Sequence, residues 1–357
     1  MRISEAKQCI MELYRNTDSV IALVSERGVG KTSAFQQCAC ELDIGYMGLY
    51  AAAMEGPDFM GLPDKDREKG ITRYLAPQFL PTQTAVDEGF FPDCGLLVLE
   101  EINRVPTDTV SVLYPLLLER KINGHCLAPG WKIGVTMNPD TLNYAVNSLD
   151  DAMLDRFVTV EVTANLEDYV AYSLLNGPCD DVLAYLTACP DMLLRVKKAA
   201  DSTATAKSPT PRGWTRVQQL LNGCTLPEKL MQELISGVLG PEAAASFFGY
   251  LNNREYTIPS AAILLADFEQ VRPQFEKLVQ GSRFDLLSLV MKKTVSLLDA
   301  SDAHCASIDA MLSSLPEEFQ LLFFKTLAND KSELFLDVAQ KTAAFAVLSD
   351  QILDLMA

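Results

Sequence analysis

Residues 20–41, VIALVSERGVGKTSAFQQCACE, set Lys31 and Thr32 directly behind a tight glycine-containing turn. Such a turn aims successive backbone N–H groups and a helix N-terminus at one point, where an anion is best stabilised. A lysine there reaches the β- and γ-phosphates of a nucleotide, and the following hydroxyl sits on the nucleotide's Mg²⁺. VIALV predicts the strand that must precede this loop, and the residues from Lys31 onward predict the helix that must follow it. Ser25 stands where the pattern GxxxxGK[ST] begins with glycine. A serine holds a β-region turn, so the departure leaves the loop intact.

A second group of chemistry-bearing residues closes the apolar run 95–99, GLLVL, which ends in Glu100 and Glu101. A continuous apolar run is a strand buried on both faces of a parallel sheet. Ligands of open α/β sheets sit at the carboxyl ends of the strands, so these carboxylates point at the same place as the glycine turn. Side chains alternate along a strand, so the two acids face different ways. Glu100 would hold Mg²⁺ and Glu101 would polarise an attacking water. A solvated acidic pair at a strand end is the plain alternative. Another strand, 132–137, ends in Asn138 and Pro139. An asparagine there can bridge the catalytic carboxylate and a γ-phosphate or orient the water; it is also a common turn initiator before proline. Arg212 follows Thr210 and Pro211, a cap and a first helical residue. A cation at a helix N-terminus opposes the dipole, so Arg212 needs a phosphate or a neighbouring acid.

The elements that must position these residues follow in order. Residues 4–15 pattern as an amphipathic helix with Ile10, Leu13 and Tyr14 on its apolar side. A second strand over 46–50 opens into residues 51–94, rich in Gly and Pro, a length of loop that compact domains keep for function or mobility. Residues 107–120 predict a helix capped by Thr107 and kinked at Pro115. Residues 121–131 predict a hairpin-type excursion. A short helix over 148–157 ends at Arg156, and a strand over 158–162 closes the sheet. Helices are expected over 166–175 and 182–198, then a polar loop to Thr210. From Leu226 paired helices flank Gly240 and Pro241, and from Pro259 Leu and Phe recur at the spacing of a packed helical core. His125 and His304 lack companion nucleophiles or ligands and read as structural.

The chain has 357 residues, 48% hydrophobic and 22% charged, with a formal charge of −17. That length suggests two or three units, and the charge disfavours sequence-independent contact with nucleic acid or anionic lipid. Nine cysteines without a CxxC pair point to reduced thiols in the cytoplasm. No signal peptide or membrane-spanning run is visible.

Taken together these residues resemble the AAA+ ATPases, and within them the MoxR-like and dynein-related group. The likeness extends over about residues 2–254. SERGVGKT resembles the P-loop, MEGPDFMGLP and TRYLAPQFLP the insertion before Walker B, and LLVLEEINR Walker B. VTMNP is similar to sensor 1, LDRF to the arginine-finger box and TPRGW to sensor 2. The resemblance implies an α/β P-loop fold, with a nucleotide-binding domain at 1–163 carrying insertions at 51–94 and 121–131. It further implies a helical lid at 164–256 and a helical extension at 257–357. It implies nucleotide contacts from Arg27, Gly28, Val29, Gly30, Lys31, Thr32 and Ser33, and Mg²⁺ held by Thr32 and Glu100. Glu101 takes the place of the catalytic glutamate, Asn138 of sensor 1, Arg156 of the finger that reaches a neighbouring subunit, and Arg212 of sensor 2. The implied activity is ATP hydrolysis by a homo-oligomer, a hexameric ring, which remodels or assembles a protein beside a von Willebrand factor A domain partner. Glu100 replaces the usual Walker B aspartate, which would slow hydrolysis because Mg²⁺ geometry is strict. Two other readings share the fold: a nucleic-acid translocase of restriction type, which needs more basic insertions than Lys65, Arg67, Lys69 and Arg73 provide, and a nucleotide switch with slow turnover. A P-loop reads phosphates and not the base, so ATP and GTP stay open here.

Overall fold

A computed structural model describes residues 1–139, 149–196, 207–299 and 301–356. The chain divides into two compact units, Met1–Asp168 with Leu194–Gly213, and Tyr169–Leu193 with Trp214–Ala357.

The first unit is built on a five-stranded parallel sheet. Its elements begin with α1 (Ile3–Asn16), β1 (Val20–Val24), α2 (Lys31–Glu41) and β2 (Gly45–Tyr50). There follow α3 (Gly56–Met60), β3 (Pro63–Asp66), β4 (Ile71–Tyr74), α4 (Gln83–Asp87), β5 (Gly95–Glu100) and α5 (Thr107–Glu119). The small hairpin β6 (Lys121–Ile122) and β7 (His125–Cys126) precedes β8 (Trp131–Met137), α6 (Asp151–Leu154) and β9 (Phe157–Glu161). The strands lie in the order β2-β5-β8-β1-β9, so β5, β8 and β1 are interior and their carboxyl ends are neighbours. All four pairings are parallel.

Alternation along β5 sends its residues to two cores, as strand geometry requires. Leu96 and Val98 pack with Ile10 of α1 and Ala34, Phe35 and Cys38 of α2. Leu97 and Leu99 pack on the other face with Leu113, Leu116 and Leu117 of α5. Helices thus cover both faces, which is why the run GLLVL needs no polar alternation. Gly134 of β8 admits α2 closely, since a Cβ there would stand 2.7 Å from the Phe35 ring.

Several expectations are corrected. Residues 51–94 are not one open loop: α3, the β3–β4 hairpin and α4 punctuate them, and Phe59, Phe79, Leu80 and Val86 anchor them in the core. Thr107 is the first residue of α5 rather than its cap; Pro106, with φ −54° and ψ 144°, holds the cap position without a side-chain acceptor. Asp108 in the first turn suits the positive end of that helix. The helix before Arg156 is shorter than expected, because Asp150 caps it by accepting from the Met153 N–H at 2.8 Å. Ser148 itself lies outside the described residues, and β9 already starts at Phe157.

The second unit is helical. The chain enters it within α7 (Leu166–Leu175), continues as α8 (Asp180–Ala188), and re-enters within α9 (Pro211–Gly223). The helix expected over 182–198 stops at Ala188, since Cys189 precedes Pro190 and leaves the helical region at φ −132°, ψ 68°. Residues 197 and 198, and most of the polar loop after them, lie outside the described residues. Next come α10 (Glu228–Leu239), α11 (Pro241–Asn253), α12 (Ala261–Ala266), α13 (Phe268–Gln280) and α14 (Phe284–Leu297). The chain ends in α15 (Asp302–Ser313), α16 (Glu317–Asp330), α17 (Ser332–Ala339) and α18 (Ala343–Met356). Their Leu and Phe residues, among them Phe268, Phe275, Phe323 and Phe324, form one buried cluster. No helix among the described residues is long and apolar enough to cross a membrane. His125 bonds the Tyr74 carbonyl at 2.7 Å and His304 pairs with Asp299, both structural uses.

Candidate functional site

The glycine turn leaves β1 at Ser25, whose N–H still reaches Met137 O of β8 at 3.3 Å. Two glycines shape it. Gly28 has φ +74°, and a Cβ there would also stand 3.0 Å from Thr210 Oγ1; Gly30 has φ +120° and starts α2. L-residues rarely adopt either conformation. The turn therefore ends with the first N–H groups of α2 unpaired by the helix, the arrangement that binds anions. Arg27 and Ser33 are exposed, and Val29 packs against the α1–α2 core.

Lys31 is buried and folded back over the turn. Its Nζ donates to Ser25 O at 2.6 Å, Ser25 Oγ at 3.2 Å and Asn138 Oδ1 at 3.3 Å, with Glu26 O at 3.4 Å. Burial lowers its pKa to about 8, although Glu101, Glu26 and Glu100 favour the charged form and Arg212 opposes it. The ammonium thus remains the majority form at neutral pH.

The two adjacent acids part company as alternation demands. Glu100, buried at the end of β5, accepts the Thr32 hydroxyl on Oε2 at 2.8 Å. Glu101 has left the strand in the left-handed region, φ 55° and ψ 43°, with its N–H on Thr136 Oγ1 at 3.0 Å. Its Oε2 lies 2.6 Å from Arg104 Nη1. Glu101 thus holds a conformation uncommon for a side-chain-bearing residue, at a strand end that faces the glycine turn.

Asn138 is buried, and its side chain meets Lys31 rather than either glutamate. Asn103 holds its backbone from both sides, donating from Nδ2 to Asn138 O at 2.7 Å and accepting the Asn138 N–H on Oδ1 at 3.2 Å. Sequence reasoning missed Asn103 and Thr136. The available signals were an amide two residues after the glutamate pair and a threonine within the apolar part of β8, Ile133–Met137.

Arg212 arrives at the same turn by its backbone, its N–H donating to Gly28 O at 3.1 Å. Its side chain is exposed, and no carboxylate among the described residues pairs with it. Thr210 caps the helix by accepting the Gly213 N–H at 3.1 Å. Arg156 is exposed between α6 and β9, and no contact among the described residues joins it to Lys31, Glu100 or Glu101. The structure therefore assembles Lys31, Thr32, Glu100, Glu101 and Asn138, sets Arg212 beside them, and leaves Arg156 on the surface.

Thr32 and Glu100 together present hard oxygen donors of the kind Mg²⁺ takes. Among the described residues no group of three or more His, Cys, Asp and Glu side chains could cage a metal alone. Mg²⁺ fits this sparse set, because it keeps waters and uses one or two protein ligands plus substrate phosphates.

No protein-family profile matches the chain, and no curated protein matches it. Among solved structures it is similar to NtrX from Brucella abortus, with 14% identity, 81% of this chain and 68% of that one covered, and a TM-score of 0.37. It is also similar to a RuvB variant from Thermotoga maritima, with 14% identity, coverage of 76% and 75%, and a TM-score of 0.35. The assignment of the site rests on its own geometry. Sheet, turn and helix together define an α/β protein of the P-loop fold, continued by a helical extension.

Proposed function

We propose that this chain is an AAA+ ATPase of the MoxR-like kind that binds ATP with Mg²⁺, hydrolyses it in a homo-oligomeric ring, and remodels a protein partner in the cytoplasm. The observation that carries the reading is the meeting of Lys31, Thr32, Glu100 and Asn138 at the carboxyl ends of β1, β5 and β8. The backbone N–H groups from Arg27 to Ser33 cradle the phosphates. Lys31 exchanges oxygens of Ser25 and Glu26 for those of the β- and γ-phosphates. Thr32 and Glu100 hold Mg²⁺, which neutralises charge developing on the phosphates when bound. Glu101 takes the proton of the water whose oxygen bonds to the γ-phosphorus, while the bond from that phosphorus to the ADP oxygen breaks. Asn138 keeps Lys31 and the water in register. Arg212 faces the phosphates in the same subunit, and Arg156 serves the neighbour's nucleotide.

In this proposal residues 164–256 act as the lid and 257–357 dock a partner, a von Willebrand factor A domain protein being the kind the resemblance suggests. The β3–β4 hairpin argues against a nucleic-acid motor: Asp64, Asp66 and Glu68 interleave its basic residues, and Arg73 pairs with Asp66. One observation favours a slow-turnover switch as the second reading, since Glu101 is held by Arg104 within its own chain. A single-turnover assay separates the two. Release of phosphate from preloaded protein on the timescale of seconds to minutes supports the ATPase, and retained ATP supports the switch.

A further inference from the structure

The hydroxyl of Tyr46 on β2 is buried and has no hydrogen-bond partner among the described residues. A buried hydroxyl without an acceptor costs free energy, and each instance in a folded protein asks for a reason. β2 pairs with β5 so that Tyr46 lies opposite Leu96, Gly48 opposite Val98 and Tyr50 opposite Glu100. Residues two apart share a face, so Tyr46, Gly48 and Glu100 all project to the side that α2 covers. The phenol leans over Gly48 toward the carboxyl end of the strand. A Cβ at position 48 would stand 2.8 Å from the hydroxyl oxygen and 2.9 Å from the ring, so only glycine leaves this path open. Burial first, and the Glu100 carboxylate next, push the Tyr46 pKa above its ordinary value, which keeps the hydroxyl a donor. Glu100 has one oxygen on Thr32 and a second that no described residue engages.

We propose that Tyr46 is a positioning residue for Glu100, donating its hydroxyl to the free carboxylate oxygen when Thr32 and Glu100 turn to hold Mg²⁺. A glutamate in place of the shorter aspartate has one more rotatable bond, and a second hydrogen bond removes that freedom. The inference rests on the ATP–Mg²⁺ reading of the site. It explains why a polar group is stored in an apolar layer one pleat short of the proposed metal ligand, and why a glycine stands at position 48 between Met47 and Leu49.

The test measures ATP binding by calorimetry with and without Mg²⁺, and the melting temperature of the ligand-free protein, for the parent and Tyr46→Phe. Tyr46→Phe should bind metal-free ATP like the parent and lose about ten- to a hundredfold of the affinity gained with Mg²⁺, the size of one hydrogen bond to a charged group. Its ligand-free melting temperature should stay the same or rise, because the hydroxyl has no resting partner to lose. Gly48→Ala, which displaces the hydroxyl and keeps the phenol, should reproduce the loss. An undiminished Mg²⁺ gain in either variant overturns the inference. So does a Tyr46→Phe protein that melts clearly lower or does not fold, since the hydroxyl would then serve the resting fold. A parent protein whose ATP binding ignores Mg²⁺ removes the underlying reading of the site, and the inference with it.

Discussion

Lys31 concentrates the chemistry of this chain in one side chain. Its ammonium has four oxygen acceptors within 3.4 Å and three protons to give, so in the proposed site a nucleotide would compete for it with the loop itself. Lys31→Ala should weaken ATP binding by at least a hundredfold while the protein stays folded, as titration calorimetry and circular dichroism would show. The depressed pKa adds a signature. The folded value of about 8 lies below the unfolded value of roughly 10.4, so between them the unfolded chain holds a proton that the folded chain lacks. Stability therefore rises through that window as far as this residue contributes, while ATP affinity falls because the ammonium is discharged. A Kd that is flat from pH 7 to 10 would refute the role given to Lys31, and Lys31→Arg, charged throughout, supplies the control. Glu101→Gln should keep ATP affinity within about threefold and lower turnover at least a hundredfold. Parent-like turnover from that variant would move the proton acceptor elsewhere.

At the scale of elements, the decisive feature is how β5 and β8 are tied where they end. Asn103 grips the Asn138 backbone from both sides, and Thr136 receives the Glu101 N–H. These three bonds join the turn after β5 to the end of β8 and hold a left-handed glutamate in place. Asn103→Ala should cost ~1–3 kcal/mol in denaturant unfolding, because it leaves buried polar backbone unpaired. It should also lower turnover more than ATP affinity, since the phosphate loop keeps its own bonds to Lys31. Equal losses in both would mean that Asn103 serves the fold alone. The strands and the glycine turn were legible in the sequence because apolar runs, alternation and glycine have direct local causes. Asn103 was not, because an amide after two acids looks the same in the chain whether it faces water or another strand. The early end of α8 was legible in principle at Cys189 and Pro190, yet the helical spacing beyond the proline masked it.

For the whole molecule, the proposed ring makes the exposed Arg156 the residue to test. In the proposed ring this arginine would act on the nucleotide of the neighbouring subunit. The hydrolysis rate per subunit should rise steeply with protein concentration at low salt, together with a ring-sized species in light scattering. Arg156→Ala should bind ATP as the parent does, yet lower hydrolysis by about 10³-fold or more in the assembled state. A rate per subunit independent of concentration would instead favour a monomeric switch, with Glu100→Asp the change to make next. The chain carries a formal charge of −17, so salt should modulate any self-association by screening the repulsion between copies.

By itself the sequence determined the glycine turn after β1, the buried strands and the acids that close β5, because each follows from local patterns of apolar, glycine and charged residues. Only the tertiary structure decided which residues meet. β5 and β8 are adjacent in the sheet although 30 residues separate the end of one from the start of the other, and that adjacency brings Asn103 to Asn138, while the pairing of β8 with β1 brings Asn138 to Lys31. The same sheet order puts Tyr46 on the face of Glu100. Contacts of that kind depend on strand order and register, which no window of the chain contains.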